Sequence, residues 1–234
     1  MIKRISLFVC LLFVAHGIAL ADVMLAENFD NIATLPGAGW AQVNNSLPLG
    51  TTAWFQGTSG IFPSQSGAAD SYIAANFNNA AFGGNISNWL LTPEVSINNG
   101  DSISFYTRTE SPALFADRLE LRLSTSGAST DVGATASSLG DFTTLLRTIN
   151  PTLDPAGYPD AWTQFSATVG GLGAGATGRY AFRYDVTDTS INGDYIGIDS
   201  VSISAVPEPA SILSLATVIA GLALLRRKRV RRSL

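Results

Sequence analysis

Arg118-Leu119-Glu120-Leu121-Arg122-Leu123-Ser124 alternates polar and apolar residues without a break. A period of two puts Leu119, Leu121 and Leu123 on one face of an extended strand and Arg118, Glu120 and Arg122 on the other, as a surface charge ladder. Working outward, the same alternation runs through residues 102–108, 179–186 and 195–203. Shorter apolar stretches at 24–29, 71–77, 89–91, 142–149 and 162–169 are further strand candidates. Turn chemistry separates them: Asn98-Asn99-Gly100-Asp101, Gly170-Gly171-Leu172-Gly173 and Ile191-Asn192-Gly193-Asp194. Neither a strong helical period nor a βαβ rhythm occurs between residues 22 and 205. Many short strands joined by Gly, Asn and Asp turns predict an all-β, two-sheet sandwich.

The two ends of the chain obey different rules. Met1-Ile2-Lys3-Arg4 is cationic, residues 5–15 are mostly apolar, and Ala19-Leu20-Ala21 has the small residues of a cleavage site. Residues 1–21 therefore read as a secretory signal peptide, with Asp22 as the mature start and the secretion machinery and signal peptidase as partners. An uncut signal anchor is the alternative. At the other end Val206-Pro207-Glu208-Pro209 precedes 16 uncharged residues, 210–225, and a basic end at 226–232 with six Lys and Arg. As a helix the apolar run spans about 24 Å at ~1.5 Å per residue. That is short of a hydrocarbon core of about 30 Å, but snorkelling cations close part of the gap. The cations would hold the C-terminus in the cytoplasm and leave residues 22–205 outside. A buried helix followed by a basic surface is the alternative.

In its order of Pro-Glu-Pro, apolar span and basic tip, the tail (206–234) resembles the PEP-CTERM sorting signal of Gram-negative bacteria. The resemblance implies recognition by an exosortase and removal of the tail near Pro207-Glu208-Pro209. It also implies transient anchoring in the inner membrane, then delivery to the cell surface or extracellular matrix.

Setting the ends aside empties the domain of most catalytic chemistry. Cys10 and His16, the one Cys and one His of the chain, lie in the signal segment, and the lysines Lys3 and Lys228 lie in the two ends. Residues 22–205 can build no disulfide, no thiolate or imidazole metal site, no Ser-His-Asp triad and no Schiff base. Their six arginines against 17 acids give a net charge of −11. Such a surface repels nucleic acid and anionic membranes, and its natural small partner is Ca²⁺.

A second set of motifs spans residues 23–204. Glu27-Asn28-Phe29-Asp30 is followed by Gly39-Trp40, Ala53-Trp54-Phe55-Gln56-Gly57, Ser71-Tyr72-Ile73-Ala74 and Asn88-Trp89-Leu90-Leu91-Thr92-Pro93. Ser104-Phe105-Tyr106-Thr107-Arg108, Asp117-Arg118-Leu119-Glu120 and Tyr195-Ile196-Gly197-Ile198-Asp199-Ser200-Val201 complete the series. In order and spacing they resemble the choice-of-anchor J domain, a relative of the cleaved-adhesin and MAM domains. The cysteines of MAM domains are missing here, which weakens that branch of the comparison. The resemblance implies a concanavalin-like jelly roll that binds or displays, without catalysis. It also implies a structural Ca²⁺ where Glu27 or Asp30 of the first strand meets Asp199 of the last. The alternative is that Asp30 and Asp199 cap turns or accept backbone N–H bonds.

Two further readings compete for the domain. A glycoside hydrolase needs only two carboxylates, and Asp117 with Glu120 is the available pair, but three residues apart on a strand they point to opposite faces. A carbohydrate-binding module needs exposed aromatics. Among Trp40, Trp54, Trp89 and Trp162, Trp54 stands in a Gly-rich neighbourhood and is the glycan-stacking candidate. Asp188, Asn192 and Asp194 read as turn chemistry, lacking an EF-hand register. The sequence thus predicts a non-enzymatic exported protein with an adhesive or structural role in extracellular polysaccharide or biofilm. The alternatives are a module with a specific glycan ligand, or a hydrolase.

Overall fold

The structure, a computed structural model, describes residues 22–206. The signal segment with Ala19 and Ala21, the motif residues Pro207, Glu208 and Pro209, and the apolar span 210–225 lie outside the described residues. Among the described residues no helix is long and apolar enough to cross a membrane.

Asp22–Val206 is a unit with its own core. Thirteen strands alternate with loops and three 3₁₀ turns, at Ile32–Thr34, Pro36–Ala38 and Phe77–Asn79. The strands are β1 (Val23–Glu27), β2 (Ala41–Asn44), β3 (Leu47–Leu49), β4 (Phe55–Gln56), β5 (Ile73–Asn76), β6 (Ala80–Leu91) and β7 (Val95–Ile97). They continue with β8 (Ser102–Thr109), β9 (Leu119–Ser124), β10 (Thr144–Ile149), β11 (Thr163–Thr168), β12 (Ala176–Val186) and β13 (Tyr195–Ser204). One sheet runs β11-β8-β13-β5-β4, with β1 also on β13; the other runs β10-β9-β12-β6-β2, with β3 on β6 and β7 on β12. The two-sheet all-β architecture expected from the alternation is therefore observed.

The inner faces are set by period-two strands. On β12, Tyr180, Phe182, Tyr184 and Val186 point inward; on β9, Leu119, Leu121 and Leu123 do so; on β8, Ile103 and Phe105 meet them. Phe105 crosses from one sheet to touch Phe182 edge-on, with ring centroids 4.9 Å apart. β13 changes phase: Ile196 and Ile198 are inward, then Val201 and Ile203. That odd spacing requires one extra residue. A register shift between Asp199 and Ser202 supplies it, with Ser200 at φ +50°.

Both outer faces are roofed. Over β6, β12 and β9 the segment between β9 and β10 lays Val132 and Phe142 on Trp89, Leu91 and Ala181. Under that roof Glu120 Oε2 accepts bonds from Arg122 Nε at 2.8 Å and Arg183 Nη1 at 3.0 Å. Glu120 and Arg122 are only 9 % and 7 % exposed. The charge ladder expected at the surface is instead a buried ion network, because alternation reports which face a side chain takes and not what later covers that face. Over β13 and β5, Phe62, Tyr72 and Trp162 stack on one another. They press so closely that a Cβ on Gly197 would lie 2.9 Å from both Trp162 and Tyr72.

Candidate functional site

Among the exposed apolar side chains, three phenylalanines come together: Phe82, near the start of β6, is 86 % exposed, Phe77 46 % and Phe115 45 %. With Thr189, Ser190, Gly193 and Asp194 they line a cavity of about 210 Å³. Small-ligand sites combine apolar walls with a few fixed polar groups in this way.

Each wall is positioned by a specific bond. Phe77 opens the 3₁₀ turn after β5, whose cap is Asn76 Oδ1 accepting from Asn78 N at 3.1 Å; Phe77 N donates to Asp194 O at 2.9 Å. Phe82 stands beside Gly83, where φ is +76°. Gly84 then lets the chain pass close to Leu47 O, which would lie 2.9 Å from any Cβ there. The β12–β13 loop is stapled to β6 by Thr189, whose N donates to Gly84 O at 2.9 Å and whose Oγ1 donates to Ala81 O at 2.9 Å. Gly193 N donates to Ala116 O at 2.8 Å, tying that loop to the β8–β9 loop that carries Phe115.

Acids underlie this end. Asp117 is fully buried and wrapped by donors: Tyr184 OH at 2.5 Å and Asp194 N at 2.8 Å on Oδ1, and Thr109 Oγ1 at 2.7 Å on Oδ2. Burial nevertheless pushes its carboxyl up to about 6. Hydrogen bonding with the Asp194 side chain, then partial burial and the negative charges of Asp194 and Asp117, raise Glu110 to about 7.

The residues singled out by sequence fall in several places. Trp54 is 4 % exposed and part of the main core, so its ring faces are closed to a sugar; this corrects the stacking expectation. A Gly-rich neighbourhood shows only that the backbone bends near a side chain. Trp40 and Trp89 are likewise buried, and Trp162 is half-buried within the aromatic roof over β13, its Nε1 donating to Pro63 O at 2.8 Å. Asp117 and Glu120 belong to separate networks on different sides of the β10-β9-β12-β6-β2 sheet and form no catalytic pair. Asp188 and Asn192 make turn bonds, to Ser190 N at 3.0 Å and Thr187 O at 2.9 Å. Asp194, by contrast, is a cavity wall. Phe77, Phe82, Phe115 and Glu110 were not legible as site residues, although an aromatic directly before Gly83-Gly84 was a usable signal.

The fit of Ca²⁺ at Glu27, Asp30 and Asp199 can be tested on donor geometry. Asp199 Oδ2 accepts from Gln65 N at 2.8 Å and Ser66 N at 3.1 Å, and Oδ1 from Ser200 N at 2.5 Å. Glu27 Oε1 accepts from Phe29 N at 2.7 Å. N–H donors aimed at these carboxylates take the place of a cation. Among the described residues no three His, Cys, Asp or Glu side chains converge. The donor set does not fit the ion. Asp199 instead fixes the β13 bulge to the 65–66 loop, while the Gln56 side-chain amide ties down the chain after β1: Gln56 Nε2 donates to Phe29 O at 2.8 Å and Gln56 Oε1 accepts from Ile32 N at 3.0 Å.

No protein-family model matches the chain, and neither does any curated protein. Among solved structures it is similar to cleaved adhesin domains of Lys-gingipain from Porphyromonas gingivalis W83. The K1 domain matches at 18 % identity with a TM-score of 0.53, covering 78 % of this chain and 98 % of that one. The K3 domain matches at 19 % identity and a TM-score of 0.50, covering 78 % and 99 %. For the K2 domain of Lys-gingipain the values are 16 %, 0.51, 77 % and 99 %. At these identities the likeness is one of fold: the chain folds like a cleaved adhesin domain.

Proposed function

We propose that this chain is a non-enzymatic adhesive module, exported and displayed at the cell surface or in the extracellular matrix, which holds polysaccharide at the loop end of the sandwich. The observation that carries this reading is the cavity walled by Phe77, Phe82 and Phe115 on one side and Thr189, Ser190 and Asp194 on the other. A sugar ring has an apolar C–H face and a polar rim of hydroxyls, and this cavity offers a partner for each. An exposed apolar patch on a secreted domain is a binding surface before it is anything else.

Against a hydrolase built on Asp117 and Glu120 stands the placement of those two acids. Asp117 is enclosed by three donors, and Glu120 lies beneath its loop between two arginines. Export and sorting rest on the residues of the two ends. The membership in choice-of-anchor J proteins, the exosortase, the transient inner-membrane stage and the role in biofilm are parts of the same proposal.

The test is native affinity electrophoresis of the 22–206 segment, which contains the whole core, in gels with and without defined polysaccharides. The reading expects retardation by at least one polymer, lost in Phe82→Ala, with no release of reducing ends. Migration unchanged by every polymer, or polymer cleavage, would overturn it.

A further inference from the structure

Resting on that reading, we infer that the ligand is a linear polysaccharide chain bearing free amino groups, held in two subsites on either side of the Leu114–Phe115 ridge. The second subsite is a cavity of about 430 Å³ between Ser111, Pro112, Pro155, Tyr158 and Asp160. The β8–β9 loop forms a wall of both: residues 111–113 face the larger cavity and Phe115 the smaller. Ala113 and Phe115 are two residues apart, so at most about 7 Å of chain separates the two walls. Leu114, 69 % exposed, tops the ridge between them. A terminal sugar would need one pocket; two open pockets divided by an apolar ridge suit consecutive units of a chain.

The charge of the ligand follows from the linings. Neither cavity is lined by Arg or Lys, and each contains one carboxylate, Asp160 in the larger and Asp194 in the smaller. Glu110 begins the loop that separates them. The nearest cations are already engaged. Arg108 donates to Thr109 O at 3.0 Å and to Asp160 O, and lies 4.4 Å over the Phe62 ring. Arg118 pairs with Asp185 at 2.6 Å. Asp160 Oδ2 accepts Ser111 Oγ at 3.0 Å and keeps lone pairs for an ammonium, while Asp194, buried, accepts the Leu114 N–H at 3.3 Å and is hydrogen-bonded with Glu110, so that the smaller cavity offers this acid pair as its negative group. A uronate or sulfate would meet Asp160, only partly offset by Arg108, at one subsite and the Asp194–Glu110 pair at the other, within a domain of net charge −11.

The experiment is calorimetric titration of the 22–206 segment with β-1,4-linked glucosamine, N-acetylglucosamine and glucuronate oligomers of two to six units. The inference expects affinity to rise with length until both subsites are filled. It expects glucosamine to bind about fivefold tighter than its acetylated form per exposed ion pair, an advantage lost in high salt. Asp160→Asn should remove the fivefold share of the larger cavity without touching the acetylated series, leaving only the contribution of the smaller one. Binding by the neutral or acidic oligomers that is equal or stronger, still abolished in Phe82→Ala, would overturn the inference and leave the polysaccharide reading standing. Affinity independent of length would also overturn it. If no oligomer and no polymer binds, both fall together.

Discussion

Replacing Glu120 by Ala tests whether the outer face of the β10-β9-β12-β6-β2 sheet is a sealed interior. The substitution leaves Arg122 with only Phe142 O, at 3.3 Å, while Arg183 keeps Asp185 at 3.2 Å and Ser87 Oγ at 3.1 Å. Breaking a buried pair by removing one partner costs about 3–5 kcal/mol. Because Arg183 retains a carboxylate and Glu120 is not wholly enclosed, the loss here is about 2–3 kcal/mol. With a urea m-value of about 2.5 kcal/mol/M for a domain of this size, the unfolding midpoint falls by about 1 M. Burial raises the Glu120 carboxyl, but the Arg122 hydrogen bond and the charges of Arg122 and Arg183 outweigh it, so its net shift is downward. A depressed acid stabilises above its ordinary value and loses that contribution as pH falls through its folded value. The gap between wild type and Glu120→Ala should therefore narrow in strong acid. Urea melts followed by circular dichroism at pH 7 and pH 3 read both effects. A midpoint shift under about 0.3 M at pH 7 would return Glu120 to the solvent and refute the roofed sheet.

Asp117 acts with the opposite sign. Its folded value of about 6 lies above the ordinary 3.8, so the folded state holds its proton longer and stability falls as pH rises from about 4 to 6, by about 3 kcal/mol; Glu110 extends the decline toward 7, and thermal melts of Asp117→Asn should show a shallower slope. Gly197→Val drives a side chain into Trp162, Tyr72 and Phe62 and should destabilise by about 1–3 kcal/mol in the same melts. Chelation should leave the melting temperature unchanged, and a rise on adding Ca²⁺ would contradict the N–H occupancy of Asp199 and Glu27.

How much of this was legible in the sequence depended on distance along the chain. β8, β9 and β12 were readable because each carries its own alternation; β13 was read as one unbroken alternation over 195–203, and the bulge that changes its phase between Asp199 and Ser202 was not anticipated. β6 was seen only at residues 89–91, because Gly83 and Gly84 look like a turn; the strand runs through them for 12 residues, Ala80–Leu91. β2, β3, β4 and β7 have two to four residues each and carry too few side chains to show a period. The burial of Glu120 and Arg122 depends on Val132 and Phe142, whose docking no local pattern encodes. The cavity is harder still, since it joins residues from 77, 82, 115 and 189–194 that meet only once three loops are folded. Trp54 misled because a large aromatic near glycines is as compatible with a core as with a platform.

The measurement closest to the central claim is polysaccharide binding by Phe82→Ala, alongside its stability. Phe82 is 86 % exposed, so the account predicts an unchanged urea midpoint together with loss of retardation in the affinity gel. Retardation equal to wild type in a variant of unchanged stability would contradict it and move the binding surface away from the loop end.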